Sequence, residues 1–180
     1  MNKSSVFAAA AMLAMATAVS AQSVGEKTGV NSALGISPTT ADFVKEAATS
    51  DMVEIAAAKI AADKGNAEEK KFAEQMSTDH SKTSSDLKGM VGSGDINADI
   101  PANLDNSSQK KLDKLRNAKP ADFSGEYDPM QVSAHRDAVS LFERYSKGGD
   151  NAKLKDWAGK TLPTLRHHLD MAENLEKKRD

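Results

Sequence analysis

The sequence predicts an all-α protein built as a four-helix bundle. Three observations predict it. Four long stretches repeat apolar residues every three or four positions, the period of a helix with one buried face. No alternating strand pattern competes, and aromatic residues make up only 4% of the chain. The turns inside the two helix pairs are a few residues long, while residues 92–125 form one long connection. Two helical hairpins joined by a long crossover are the ferritin-like arrangement.

Each element has its own signal. Residues 1–21 read as a secretory signal peptide: Lys3 opens it, Val6 to Val19 is an apolar run, and Val19-Ser20-Ala21 supplies small residues for cleavage before Gln22. The run is too short to span a bilayer. Residues 22–38 are rich in Gly, Ser, Asn and Thr and read as a flexible lead-in. The bundle domain then covers residues 39–178. Its first helix runs from Thr40 to about Ala62, capped by Thr39 or Thr40, with Asp42 in its first turn. Gly65 is expected to end it in a left-handed conformation.

The second helix follows at once. Asn66 caps it, and Glu69 three residues on completes a variant capping box. Phe72, Met76, His80, Thr83 and Leu87 share one face. The pattern fades at Val91-Gly92-Ser93-Gly94. Inside the connection, Ser107 to Ala118 reads as a short helix with Leu112 and Leu115 on one side. The third long helix spans Tyr127 to Ser146, with His135, Val139 and Phe142 in one stripe. Asp150 is expected to cap the fourth, which carries Leu154, Trp157, Leu165, His168, Ala172 and Leu175. Pro163 falls inside that pattern, so a kink or break is expected over residues 159–163.

Composition removes several functions. The chain has no Cys, which excludes disulfides, thiol nucleophiles and thiolate metal sites. Residues 22–180 carry 23 basic and 26 acidic side chains, so no basic field exists to hold nucleic acid. No segment of the mature chain is long and apolar enough to cross a bilayer as a helix. The expected location is the periplasm, with a membrane face or a protein as the available partner.

The chain has four histidines. Three of them, His80, His135 and His168, occupy apolar stripes on three different helices, where a leucine would be expected. The first helix offers Glu54 on the face of Phe43, Ala47, Ala58 and Ala61. With a rise of about 1.5 Å per residue, the four groups lie roughly 17 to 28 Å from their turns, near the middle of a bundle about 35 Å long. A buried carboxylate is costly unless paired. Three imidazoles and a carboxylate can satisfy one another through one transition-metal ion such as Zn, Cu or Fe. Without a metal, a protonated His would pair with Glu54, and the others would bond to hydroxyls such as Thr83. His167 lies off the stripe and reads as exposed. Asp79 points to a different face; it could order a neighbouring group but reads first as solvated charge. Met76 and Met171, each one turn from a histidine, would add soft ligands for Cu(I) but read as core filling. Glu143 reads as a boundary residue.

The runs Phe72-Ala73-Glu74-Gln75-Met76-Ser77-Thr78-Asp79-His80-Ser81-Lys82, Ala134-His135 with Leu141-Phe142, and Thr161-Leu162-Pro163-Thr164-Leu165 followed by His168 resemble domain-of-unknown-function family 4142. Its members are exported bacterial proteins often labelled outer membrane proteins. The resemblance covers nearly all of Asp42 to Leu175. It implies a ferritin-like helical bundle in the cell envelope and no settled activity. The true di-iron pattern needs a Glu three residues before His on two helices. Here Ser77, Val132 and Leu165 hold those places, so a single His-rich site fits better than a di-iron one. Three readings follow. The first is a non-enzymatic bundle holding a metal for storage, buffering or stress protection. The second is a mono-metal oxidoreductase. The third is a structural or interaction module with a metal-free histidine network and an exposed face such as Lys110 to Arg116 for a partner.

Overall fold

The computed structural model describes residue 26, residues 29–94 and residues 96–179. The segment read as a signal peptide lies outside the described residues, as do residues 22–25, 27 and 28 of the lead-in. The elements are α1 (Val30–Ala33), α2 (Thr40–Lys64), α3 (Ala67–Gly92), α4 (Asn106–Asn117), a 3-10 turn at Pro120–Asp122, α5 (Phe123–Gly148) and α6 (Ala152–Arg179). Among the described residues there is no strand. The long helices α2, α3, α5 and α6 form the bundle, with α2 packed on α3 and α5 packed on α6.

The helix ends follow local chemistry. Thr39 accepts from the Asp42 amide at 3.1 Å, which satisfies one orphan donor at the start of α2. Asn66 caps α3 by accepting from the Glu68 and Glu69 amides, and the Glu69 carboxylate accepts from the Asn66 amide at 2.7 Å. Gly65 between them is extended, at φ −70° and ψ 159°, and not left-handed. Its role is space: a Cβ there would sit 2.6 Å from the Ala61 carbonyl oxygen and 3.0 Å from the Glu69 Cβ. Asp105 caps α4 by accepting from the Ser108 amide. Lys64 donates to the Arg116 and Ala118 carbonyls and so ties the end of α4 to the end of α2.

Three expectations change. First, α5 starts at Phe123 and not at Tyr127. The two rings stack at 5.2 Å, both fully buried, so an extra helical turn adds apolar contact that outweighs Pro129 inside the helix. Second, Asn151 and not Asp150 caps α6, accepting from the Leu154 amide at 3.0 Å. Asp150 instead accepts from the Thr40 hydroxyl at 2.5 Å. Third, α6 runs without a break through Pro163. Pro163 and Gly159 are both exposed, so water can satisfy the carbonyl that the proline leaves without a partner. The lead-in also carries structure. It contains α1, and Glu26 forms a buried ion pair with Arg144 of α5, which also donates to the Ile36 carbonyl.

The core comes in two parts. One cluster holds Phe43, Val44, Leu87, Leu141, Phe142, Tyr145, Leu154 and Leu165, where Phe43 stacks on Tyr145 at 4.1 Å. The other holds Ala57, Ala61, Phe72, Met76, Leu112, Leu115, Phe123, Tyr127 and Ala172. Chain direction follows from these memberships. Helices α2 and α6 run from the first cluster to the second, and α3 and α5 run back. The crossover starts beside the first cluster with Ile96 and Ile100 and reaches the second with Leu112 and Leu115. Between the clusters lies a polar layer, and every predicted ligand is in it.

Candidate metal centre

All four helices contribute to that layer at the level the helical rise predicts. His80 (α3), His135 (α5), His168 (α6) and Glu54 (α2) are each 3% exposed or less. The ring centroids of the three histidines are 5.8 Å (His80–His135), 5.5 Å (His80–His168) and 5.5 Å (His135–His168) apart. One ring nitrogen from each lies within 4.8 Å of the other two. Glu54 is outside this tight trio, yet its charge acts on both His80 and His135.

Each histidine is oriented by a hydrogen bond at one ring nitrogen. His80 Nδ1 donates to Asp51 Oδ1 at 2.8 Å, and the Thr83 hydroxyl donates to the same oxygen at 2.8 Å. His135 Nδ1 donates to the Gln131 carbonyl at 2.9 Å, one turn earlier on α5. His168 Nε2 donates to Asp79 Oδ2 at 2.9 Å, across from α6 to α3. A carbonyl can only accept, so it fixes the tautomer of His135, and an ionised carboxylate does the same for His168. The remaining nitrogens are His80 Nε2, His135 Nε2 and His168 Nδ1. None of them has a hydrogen-bond partner in the protein, and neither do the two carboxylate oxygens of Glu54.

The charge states follow from the surroundings. Burial drives the His168 imidazole down to about 4, against the pull of Asp79. Burial also holds His135 below the ordinary range. Both rings are therefore neutral at pH 7 and present lone pairs. At His80 burial acts the same way, but the Asp51 hydrogen bond and the charges of Glu54, Asp51 and Asp79 outweigh it and raise the imidazole. Burial raises the Asp51 carboxyl, with His80 and Thr83 holding it down. His80 therefore favours the protonated form, and a cation at Nε2 would displace the Nε2 proton while Nδ1 keeps its hydrogen bond to Asp51.

Beside two unpartnered donors, the Tyr127 hydroxyl and the Gln131 amide nitrogen, the layer holds unpartnered acceptors: both Glu54 oxygens and the lone pairs of the neutral imidazoles. A buried acceptor without a donor costs about 1–3 kcal/mol. A cation bound between these acceptors would satisfy them together. The outer hydrogen bonds match what metal-bound histidines make: the second ring nitrogen donates to a carboxylate or a carbonyl, which fixes the ring and raises its basicity. The donor set of imidazole nitrogens with a carboxylate nearby suits Zn, Cu or Fe. A tetrahedral ion with bonds of about 2.0–2.1 Å needs its ligands roughly 3.3 Å apart, so the trio would close inward on binding.

Several sequence assignments change here. Glu54 pairs with no histidine, and Asp51 takes that place. Thr83 bonds to Asp51 and to the His80 carbonyl rather than to an imidazole. Asp79 is not simply solvated, because it orients His168. Asp51 was legible in principle: it falls four residues after Ala47 and three before Glu54, on the stripe already drawn. The helical period on α3 cannot reveal Asp79, because its role depends on how α6 packs against α3. His167 is exposed, as its position off the stripe predicts.

A helical bundle whose core is interrupted by a buried cluster of three histidines defines the class. The family profile described as Domain of unknown function (DUF4142) matches residues 25–175, and the chain belongs to that family. No curated protein and no solved structure matches the chain.

Proposed function

We propose that this chain is an exported, ferritin-like bundle that holds one divalent transition-metal ion in its core, serving metal storage, buffering or stress protection in the periplasm. The ligands are His80 Nε2, His135 Nε2 and His168 Nδ1, with Glu54 at the margin. The observation that carries this reading is the convergence of three buried imidazoles with ring nitrogens within 4.8 Å of one another, each ring held by an acceptor at one nitrogen and without a protein partner at the other. Buried polar atoms are as a rule hydrogen-bonded, so three imidazoles grouped with one nitrogen each lacking a protein partner point to a ligand between them. The sequence of residues 1–21 supports export.

The test is elemental analysis of residues 22–180, purified from the periplasm without a histidine tag. The expected result is close to one metal per chain, lost when His80, His135 and His168 are all replaced by Ala. Absence of metal, with no thermal shift on adding Zn, Cu, Fe or Mn, would overturn the reading and make the cluster a structural network.

One observation favours a second reading, a mono-metal oxidoreductase. Three nitrogens leave a fourth position, and Glu54 stands beside the trio rather than in it. A substrate or oxygen would bind at that position. Redox turnover of the metal-loaded protein that survives His135→Ala would exclude this second reading.

A further inference from the structure

A cleft of about 360 Å³ opens between α2 and α5, rimmed by the lead-in and by α4. Glu54 lines it. Glu54 is also 1% exposed, has no hydrogen-bond partner on either carboxylate oxygen, and acts electrostatically on His80 and His135. One side chain therefore belongs to both the cleft and the histidine layer. On α5 the small residues Ala134 and Ala138, together with Asp137, line the wall around His135.

The charges along the cleft are ordered. Glu46 and Asp137 line it outside Glu54, with Lys111 as a cation on the α4 side. Arg144 also lines it, but its guanidinium is engaged by Glu26. The local balance is negative. Burial, followed by the charges of Glu26 and Asp42, lifts the Glu46 carboxyl to about 7, a sign of the same negative potential. A cleft lined by one sign of charge concentrates ions of the other sign and speeds their arrival.

We propose that this cleft is the route by which the divalent metal ion reaches the three-histidine centre, with Glu54 as the transfer ligand that passes the ion from the cleft to the imidazoles. This rests on the metal-binding reading above. The ion loses water in steps, first against Glu46 and then against Glu54, and exchanges its last oxygen partners for nitrogen at His80 and His135. The ion must pass through the α2–α5 wall and not through the ends of the bundle.

The probe is Co(II), whose visible absorption changes when imidazole binds it. Loading is followed by stopped flow at pH 8 and low ionic strength, where Glu46 is ionised. Glu46→Gln should slow loading about threefold or more, and Lys111→Gln should speed it. Both should leave equilibrium affinity within about twofold of the wild type. Ala134→Phe, which narrows the cleft, should slow loading and release together by at least tenfold. Equal loading rates in wild type, Glu46→Gln and Lys111→Gln would overturn the proposal, even if Ala134→Phe fails to fold. A wild-type protein that binds no Co(II) would overturn the parent reading and this one with it. Normal binding with unchanged rates would overturn the route alone.

Discussion

At the scale of single residues, the groups behind the histidines decide how good a ligand set this is. Asp79 holds His168 from the far side with a charge-assisted hydrogen bond, and it is itself partly exposed, with its side chain 26% accessible. Asp79→Asn should therefore fold normally but lower metal affinity by about 10- to 100-fold, as loss of such outer partners does elsewhere. Chelator competition measures it, and an unchanged affinity would mean that the Asp79 charge does not support His168 as a ligand. The same residues set the pH response of the metal-free protein. His168 titrates at about 4 when folded and near 6.5 as a free imidazole, and His135 is shifted in the same direction. Between those values the unfolded chain binds protons that the folded chain refuses, so stability falls as pH drops from 6.5 toward 4. His80 is raised instead. Its contribution is complete below 6.5 and disappears only as pH rises through its folded value, so it does not offset the loss on the acid side. The expected loss is of order 2 kcal/mol, read as a falling Tm, and His168→Leu should flatten that part of the profile. A wild-type Tm that stays level over this range would show that His168 accepts a proton inside the fold.

At the scale of elements, the sequence was most legible where one helix decides its own fate. The Asn66–Glu69 capping box, the Thr39 cap, and Leu112 and Leu115 on the short crossover helix need only local spacing to be read. The stripes on α3, α5 and α6 placed His80, His135 and His168 on buried faces for the same reason. What local spacing cannot show is any contact that depends on a neighbouring helix. Asp79 to His168, Asp51 to His80, and Glu26 to Arg144 all cross between elements. Pro163 shows the opposite failure, where a strong local rule was overridden. The helix continues because the face that carries Pro163 and Gly159 is wet, and because flanking turns pack Leu162 and Leu165 into the core. The proline still removes one backbone hydrogen bond. Pro163→Ala should restore it and stabilise the protein by about 1–3 kcal/mol, seen as a higher denaturant midpoint with an unchanged slope. A lower midpoint would mean that the ring makes a contact worth more than the hydrogen bond it costs.

At the scale of the whole molecule, the fold is two apolar clusters separated by a polar layer, and that layer needs a reason. Four helices of this length could be packed with leucine throughout, and the result would be more stable than a core containing bare imidazole nitrogens and an unpaired carboxylate. If the histidines served stability, replacing one by an apolar residue of similar size would weaken the protein. If they serve a metal, the same change would remove a desolvation cost from the metal-free state and remove the ligand from the loaded one. His135 separates these cases cleanly. It is 1% exposed, its Nε2 is unpartnered, and its Nδ1 hydrogen bond goes to a helix carbonyl rather than to a buried charge. His80 would be a poorer choice, because its loss strands Asp51. His135→Leu should raise the Tm of the metal-free protein or leave it level. In the wild type, zinc at a hundred times its Kd should add about 2.7 kcal/mol by mass action, which for a chain of this size is roughly 5–10 °C. In His135→Leu that zinc-induced rise should vanish or become small. A metal-free variant several degrees less stable than the wild type, with no zinc response in either, would instead make His135 a packing residue and the polar layer a structural network.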